Sequence, residues 1–166
     1  VFGAGAGQSF IMEAGSILFC RNVAGFHGPI VGIDGPAVRS NIETVTLQTG
    51  STISYSRSTL NSNGSANQTV TVTMPYQNLA FAGSGAKAPP AGATLEVKGD
   101  LIKDSAAAFF AHNEGTVLLS GTSLQNYRVL AQPFMEFNNL VNSNTTGVDV
   151  HGTMAIRQQF KNIITQ

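Results

Sequence analysis

The sequence predicts an all-β domain, a single-domain β-sandwich or jelly-roll-like barrel of about 8–10 short strands with one short helix. Three observations lead there. Apolar and polar residues alternate over short stretches, most plainly in Gln68-Thr69-Val70-Thr71-Val72-Thr73-Met74. An extended chain sends Val70, Val72 and Met74 to one side and the threonines to the other. Turn-forming residues interrupt the chain about every 8 to 12 positions. Charged residues are 11% of the 166 residues and hydrophobic ones 42%, a balance that suits a buried core and not a highly charged disordered chain.

Taken in order, Val1-Phe2-Gly3-Ala4-Gly5-Ala6-Gly7 carries little side-chain surface. Residues 1–8 are therefore expected to form a flexible N-terminal arm, since glycine is costly to order. The GxGxG spacing is read as an arm and not as a dinucleotide loop, which needs a strand before it. Residues 9–166 are read as one domain. Ser9–Met12 and Ser16–Cys20 are candidate strands, and His27-Gly28-Pro29 and Asp34-Gly35-Pro36 are turns around the apolar run Ile30–Ile33. Glu43–Gln48 and Ser51–Ser56 are expected to pair as a hairpin about Thr49-Gly50. In the strand from Gln68 to Tyr76, a charge at Val72 is expected to be far more damaging than one at Thr71.

The segment 83–92 (GSGAKAPPAG) is expected to be a long loop. Thr94–Lys98 alternates with Leu95 and Val97 inward. Asp104 is placed to cap a short helix over Ser105–Ala111, which three alanines favour. Thr116–Ser120, Tyr127–Ala131, Phe134–Phe137 and Val148–Ile156 follow as strands. Arg157–Gln166 is ambiguous, because Ile156, Phe160, Ile163 and Ile164 fit helical spacing while the same residues suit an edge strand. No internal repeat is evident.

Candidate chemistry is sparse. Asp149 and His151 share a strand face and could join His112 and Glu114 in a metal site only if the fold brought them together; the closely spaced His-x-His of the cupins is missing. His27, His112 and His151 are far apart, so no metal and no cofactor is expected. Ser84 lies in a glycine-rich loop with no visible base. Glu96, Asp100 and Asp104 recur at four-residue spacing, but within a strand-like context that does not align them. Cys20 is the only cysteine and sits in an apolar run, where a buried, inert thiol is expected. Asn63, Asn67 and Asn144 each begin an Asn-x-Ser/Thr acceptor pattern. Tyr55, Tyr76 and Tyr127 suit core packing better than a sugar-binding platform.

The missing charge is replaced by Ser, Thr, Asn, Gln and Gly, which are cheaper to bury at a subunit contact than an ion. Net charge is zero, with no basic block to neutralise phosphates, so direct nucleic-acid binding is not expected. No apolar run has membrane length. In composition the chain resembles viral coat and capsid-decoration proteins with jelly-roll or related folds; no motif carries that resemblance, and no residue roles transfer from it. The resemblance implies a non-enzymatic, self-assembling structural subunit of a virion, partnered by copies of itself and by another coat protein. Its assembly contacts would come from Val1, Phe2, Gly3, Gly5, Gly7 and Phe10. The alternatives are a secreted filament or pilus subunit at the cell surface, and a carbohydrate-binding β-module or small β-barrel enzyme.

Overall fold

Short alternating segments joined by glycine- and asparagine-rich corners can close a core by coiling as well as by folding back. This chain coils. The structure, a computed structural model, describes residues 7–29, 35–58, 65–131 and 133–163. Among them are seventeen short strands and no helix. Every strand pairing is parallel. The all-β expectation therefore holds, while the sandwich or jelly-roll barrel is corrected to a β-solenoid. In a coil, the connection that a parallel pair requires is supplied by the remainder of the turn.

The first turn carries β1 (Ser9–Met12), β2 (Ile17–Cys20) and β3 (His27–Gly28), with β4 (Val38–Arg39) paired to β3. The second carries β5 (Thr44–Leu47), β6 (Thr52–Tyr55) and β7 (Gln68–Thr69), and the third β8 (Asn78–Phe81) and β9 (Gly85–Ala88). Then come β10 (Thr94–Val97), β11 (Leu101–Lys103) and β12 (Ala108–Phe110); β13 (Thr116–Leu119) and β14 (Gln125–Val129); and β15 (Met135–Asn142) and β16 (Val148–His151). The last strand, β17 (Met154–Asn162), opens a further turn. Stacking produces a first sheet β10-β13-β15-β17, a second β2-β6-β8-β11-β14-β16 and a third β7-β9-β12. The β1–β5 pair holds the place of the first sheet in the opening turns.

The core consists of columns, each one residue per turn. Leu18, Ile53, Leu79, Leu101, Tyr127 and Val150 succeed one another in the second sheet. Leu95, Val117, Leu140 and Phe160 do so in the first. At the corner between these sheets, asparagine-type side chains tie turn to turn. Asn78 Oδ1 accepts from the Asp100 N–H at 2.8 Å, and Asp100 Oδ1 accepts from the Asn126 N–H and Nδ2, each at 2.9 Å. Turns stack so closely there that a Cβ on Gly99 would overlap the Gln77 carbonyl oxygen, and one on Gly121 that of Lys98.

Several expectations change in this geometry. β5 and β6 do not form a hairpin; Thr49-Gly50 is a corner that delivers them to different sheets. The short helix expected at Ser105–Ala111 is replaced by β12, whose Ala108 and Phe110 point inward against β9. The expected loop at 83–92 contains β9 itself. Arg157–Asn162 is strand, continuous with β17. Residues 30–33 and Asn63 lie outside the described residues.

The stretch from Gln68 to Tyr76 is strand only over β7. Val70 is buried and Val72 only partly so, but Thr71 is buried too, against the alternation expected of it. Thr71 Oγ1 accepts from the His27 N–H at 3.0 Å and donates to the His27 carbonyl at 3.1 Å. An aspartate at Thr71 would place a carboxylate there with no hydroxyl to donate. Thr71→Asp is thus expected to lower the melting temperature more than Val72→Asp, reversing the order read from the sequence.

Candidate functional site

Exposed apolar side chains lie in the first and last described strands and along the body of the coil, where Phe109, Leu124 and Leu130 are all more than half exposed. The column Leu95–Val117–Leu140 is buried throughout and then ends in Phe160, which is 58% exposed. The column that passes through Tyr127 ends in Val150, exposed by 49%. In the first turn Ile11 of β1 and Ile17 and Phe19 of β2 face outward and are exposed, Phe19 by 61%, whereas the inward Met12, Cys20 and Phe26 are buried. Among the described residues nothing pairs with the outer edge of β1, β2, β16 or β17. A strand edge of this kind presents a row of unpaired donors and acceptors.

A second feature is a groove of about 580 Å³ lined by Phe109, His112, Asn113, Glu114 and Glu136. The turn His112–Gly115 is closed by the Gly115 N–H donating to the His112 carbonyl at 2.9 Å. Asn113 and Glu114 take φ of 46° and 59°, the left-handed pair that such a turn requires. Asparagine tolerates this region and glutamate does so at a cost. Glu114→Gly is expected to stabilise the protein by about 1 kcal/mol in urea denaturation.

The turn also fixes the histidine. His112 Nδ1 accepts from the Glu114 N–H at 3.1 Å, which leaves the proton on Nε2, and Nε2 faces Glu136 Oε1 at 3.4 Å. Arg157 Nε donates to the same oxygen at 2.6 Å. The Arg157 hydrogen bond, aided by the Arg157 charge and by the His112 N–H, holds the Glu136 carboxyl below the usual carboxylate range. With both ring nitrogens engaged, His112 has no free nitrogen to act as a base on a substrate. The arrangement is a surface ion-pair cluster that pins β17 to β15.

The interior holds a third polar cluster. Lys87 is fully buried, and its Nζ donates to Gln68 Oε1 at 2.7 Å, the Ser84 carbonyl at 2.9 Å and the Arg57 carbonyl at 3.2 Å. Burial lowers its ammonium pKa from 10.5 to about 8. Cys20 is buried nearby, and burial pushes its thiol up to about 11, so it stays protonated and unreactive. Beside them a ring of hydrogen bonds closes. The Thr71 N–H donates to Tyr55 Oη at 2.9 Å, Tyr55 and Tyr76 hydroxyls meet at 2.6 Å, and Tyr76 Oη donates to the Thr71 carbonyl at 2.7 Å.

The residues singled out in the sequence are scattered by this fold. Asp149 and His151 form a pair of their own at 2.9 Å on β16. Among the described residues no three His, Cys, Asp or Glu side chains gather where they could hold a metal ion. Glu96 accepts from Ser120 Oγ at 2.6 Å and Asp100 belongs to the corner ladder, so these two and Asp104 form no acid/base pair. Tyr55, Tyr76 and Tyr127 are all interior. Asn144 is wholly buried, its Nδ2 donating to the Ser123 carbonyl and Gln125 Oε1, whereas Asn67 is exposed. Of the expected assembly contacts, Val1, Phe2, Gly3 and Gly5 lie outside the described residues. Gly7 is exposed, and Phe10 is partly buried edge-on to Phe26, with ring centroids 5.9 Å apart. Gln8 is held within the chain, its carbonyl accepting from the Glu43 and Thr44 N–H groups. Among the described residues no helix is long and apolar enough to cross a membrane.

The chain matches no protein-family model, no curated protein and no solved structure.

Proposed function

We propose that this chain is a structural subunit that works by self-assembly through its exposed apolar side chains. The observation that carries the reading is the exposure of Ile11, Ile17 and Phe19 on the outer faces of β1 and β2, and of Val150, Phe160 and Ile163 in and beside β16 and β17. Exposed apolar side chains gain by being covered. The low charge of the chain lowers the cost of covering them. Two unlike apolar patches joined head to tail propagate into a linear array when the rotation between copies does not close a ring. The secreted filament read from the sequence as an alternative is therefore favoured over a coat or capsid-decoration role, which would use the same chemistry in a closed shell. The interior position of the three tyrosines leaves the carbohydrate-binding alternative without its aromatic platform. No catalytic role is assigned.

Light scattering and negative-stain electron microscopy of the purified protein test the reading. Rods that lengthen with protein concentration are expected. Closed shells would turn the assignment to the coat role, and a monomer at every concentration would overturn self-assembly altogether.

A further inference from the structure

We propose that the groove beside the His112–Gly115 turn binds an arginine side chain presented by an extended segment of a partner protein. This binding is separate from self-assembly. The groove lies on the side of the coil, and its walls come from successive turns. Ala91 precedes β10, Phe109 belongs to β12 and Glu136 to β15, with Arg157 of β17 stacked beyond. The walls are thus built within the stack and not where the described strands stop.

Glu114 is the first indication. The Thr94–Thr116 register sets Gly92 in the turn below directly under Glu114. The two corners close in the same way. The Ala93 N–H donates to the Pro90 carbonyl at 3.2 Å, and the Gly115 N–H to the His112 carbonyl at 2.9 Å. The third residue of each is left-handed, with φ of 68° at Gly92 and 59° at Glu114. Glycine meets that need without strain in the lower corner, yet the upper corner carries a glutamate. The Glu114 side chain is exposed, and its carboxylate makes no hydrogen bond or ion pair among the described residues. The backbone under it is fixed, because Asn138 Nδ2 donates to the Glu114 carbonyl at 3.0 Å and Asn113 Nδ2 to the Pro89 carbonyl at 2.8 Å. A charge held out on a fixed corner is arranged in advance for a cation.

The other walls suit the same cation. Phe109 is 53% exposed in the groove while its neighbours Ala108 and Phe110 turn inward. A phenyl ring open to water offers its electron-rich face to a positive charge. Glu136 Oε1 takes both His112 and Arg157, and its Oε2 accepts no hydrogen bond among the described residues. His112 is neutral, with Nδ1 accepting from the Glu114 N–H. Glu114 and Glu136 set against Arg157 therefore leave one negative charge. The matching occupant carries one positive charge, N–H donors that reach two carboxylates, and a flat face for Phe109. A guanidinium has all three. A quaternary ammonium lacks the donors, and a lysine ammonium lacks the flat face. The groove, at about 580 Å³, is larger than one side chain and leaves room for the residues on either side of the arginine.

Isothermal titration calorimetry on the full chain decides the matter. The probes are the blocked peptide Ala-Ala-Arg-Ala-Ala and its citrulline counterpart, which keeps the shape and loses the charge. The arginine peptide is expected to bind about tenfold more tightly than the citrulline one. Glu114→Gln and Phe109→Ala should each weaken it severalfold, whereas Phe19→Ala, at an exposed ring on β2, should not. Glu114→Gly should lose binding while gaining stability, an outcome that damage to the fold would not give. No detectable binding, equal affinity for the two peptides, or full affinity in the Glu114→Gln variant would overturn the proposal. Light scattering of the same variants without peptide identifies the source of the arginine. Weakened self-association in them would make the occupant a second copy and overturn the partner. A protein that binds the peptide and stays monomeric would support the proposal while overturning self-assembly.

Discussion

Lys87→Ala is expected to cost about 3–5 kcal/mol and to leave the protein largely unfolded near body temperature. Removing the ammonium takes a donor from the Ser84 carbonyl, from Gln68 Oε1 and from the Arg57 carbonyl at once in a place closed to water, although the Arg57 and Ser84 N–H groups still serve the last two. Gln68 is fixed at its other end as well, since its Nε2 donates to the Cys20 and Asn22 carbonyls, each at 2.9 Å. The lysine therefore holds three successive stretches of chain in place: the end of the second-sheet strand, β7 and the approach to β9. Chemical denaturation of the variant beside Lys103→Ala supplies the control. Lys103 Nζ also donates to carbonyls, those of Ser105 and Ala131, but to two instead of three. Equal losses for the two variants would show that the number of carbonyls served does not set the cost.

The second large effect is expected in alkali. Burial raises the Tyr55 and Tyr127 hydroxyls from 10.0 to about 12, and pushes Tyr76 well above 10.0. A hydroxyl whose folded pKa is raised contributes stability that is whole below pH 10.0 and is lost as pH climbs through the folded value. A shift of two units corresponds to about 2.7 kcal/mol for one fully buried group. Cys20 acts in the same sense from 9.0 to about 11. Lys87 acts in the opposite one, because its lowered pKa makes the folded state gain stability between about 8 and 10.5. Stability should therefore hold or rise slightly to about pH 9 and then fall steeply above 10. Ionising either tyrosine of the Thr71 ring removes a donor from a closed cycle, so the hydroxyls should not titrate singly. The tyrosinate absorbance of all three tyrosines is expected to appear in one step that coincides with loss of the circular dichroism signal. Separate, reversible titration of any of them in folded protein near its ordinary value would place it at the surface.

Individual strands were legible because alternation is a local property. Leu95 and Val97 show it clearly and are buried as read, and Val117 and Leu119 of the expected strand Thr116–Ser120 are buried as well. Their partners were not legible, because a half-buried strand has the same pattern whether its neighbour runs up or down. The coil's turns also differ in length, so stacked residues such as Leu79, Leu101 and Tyr127 do not recur at one period. β9 was hidden because its inward residue is a lysine, and β12 because Ala106-Ala107-Ala108 favours helix in isolation while pairing with β9 decides otherwise. Ile156 and Phe160 left β17 ambiguous because a four-residue spacing satisfies a helix and a strand alike. The exposure of Phe160 could not be read from the sequence, since it looks like any other core residue until it is seen beside Leu140 on the outermost described strand.

That the columns run from one end of the chain to the other also governs how the protein bears tension. β1 and β17 stand at opposite ends of the stack, and each turn rests only on its neighbours. Force applied through the two chain ends would act first on the outermost turns, whose few hydrogen bonds open in sequence like a zipper. The coil would pay out strand by strand at modest load instead of rupturing as a block, and after partial extension the remaining turns would offer a template on which the released strands could wind back.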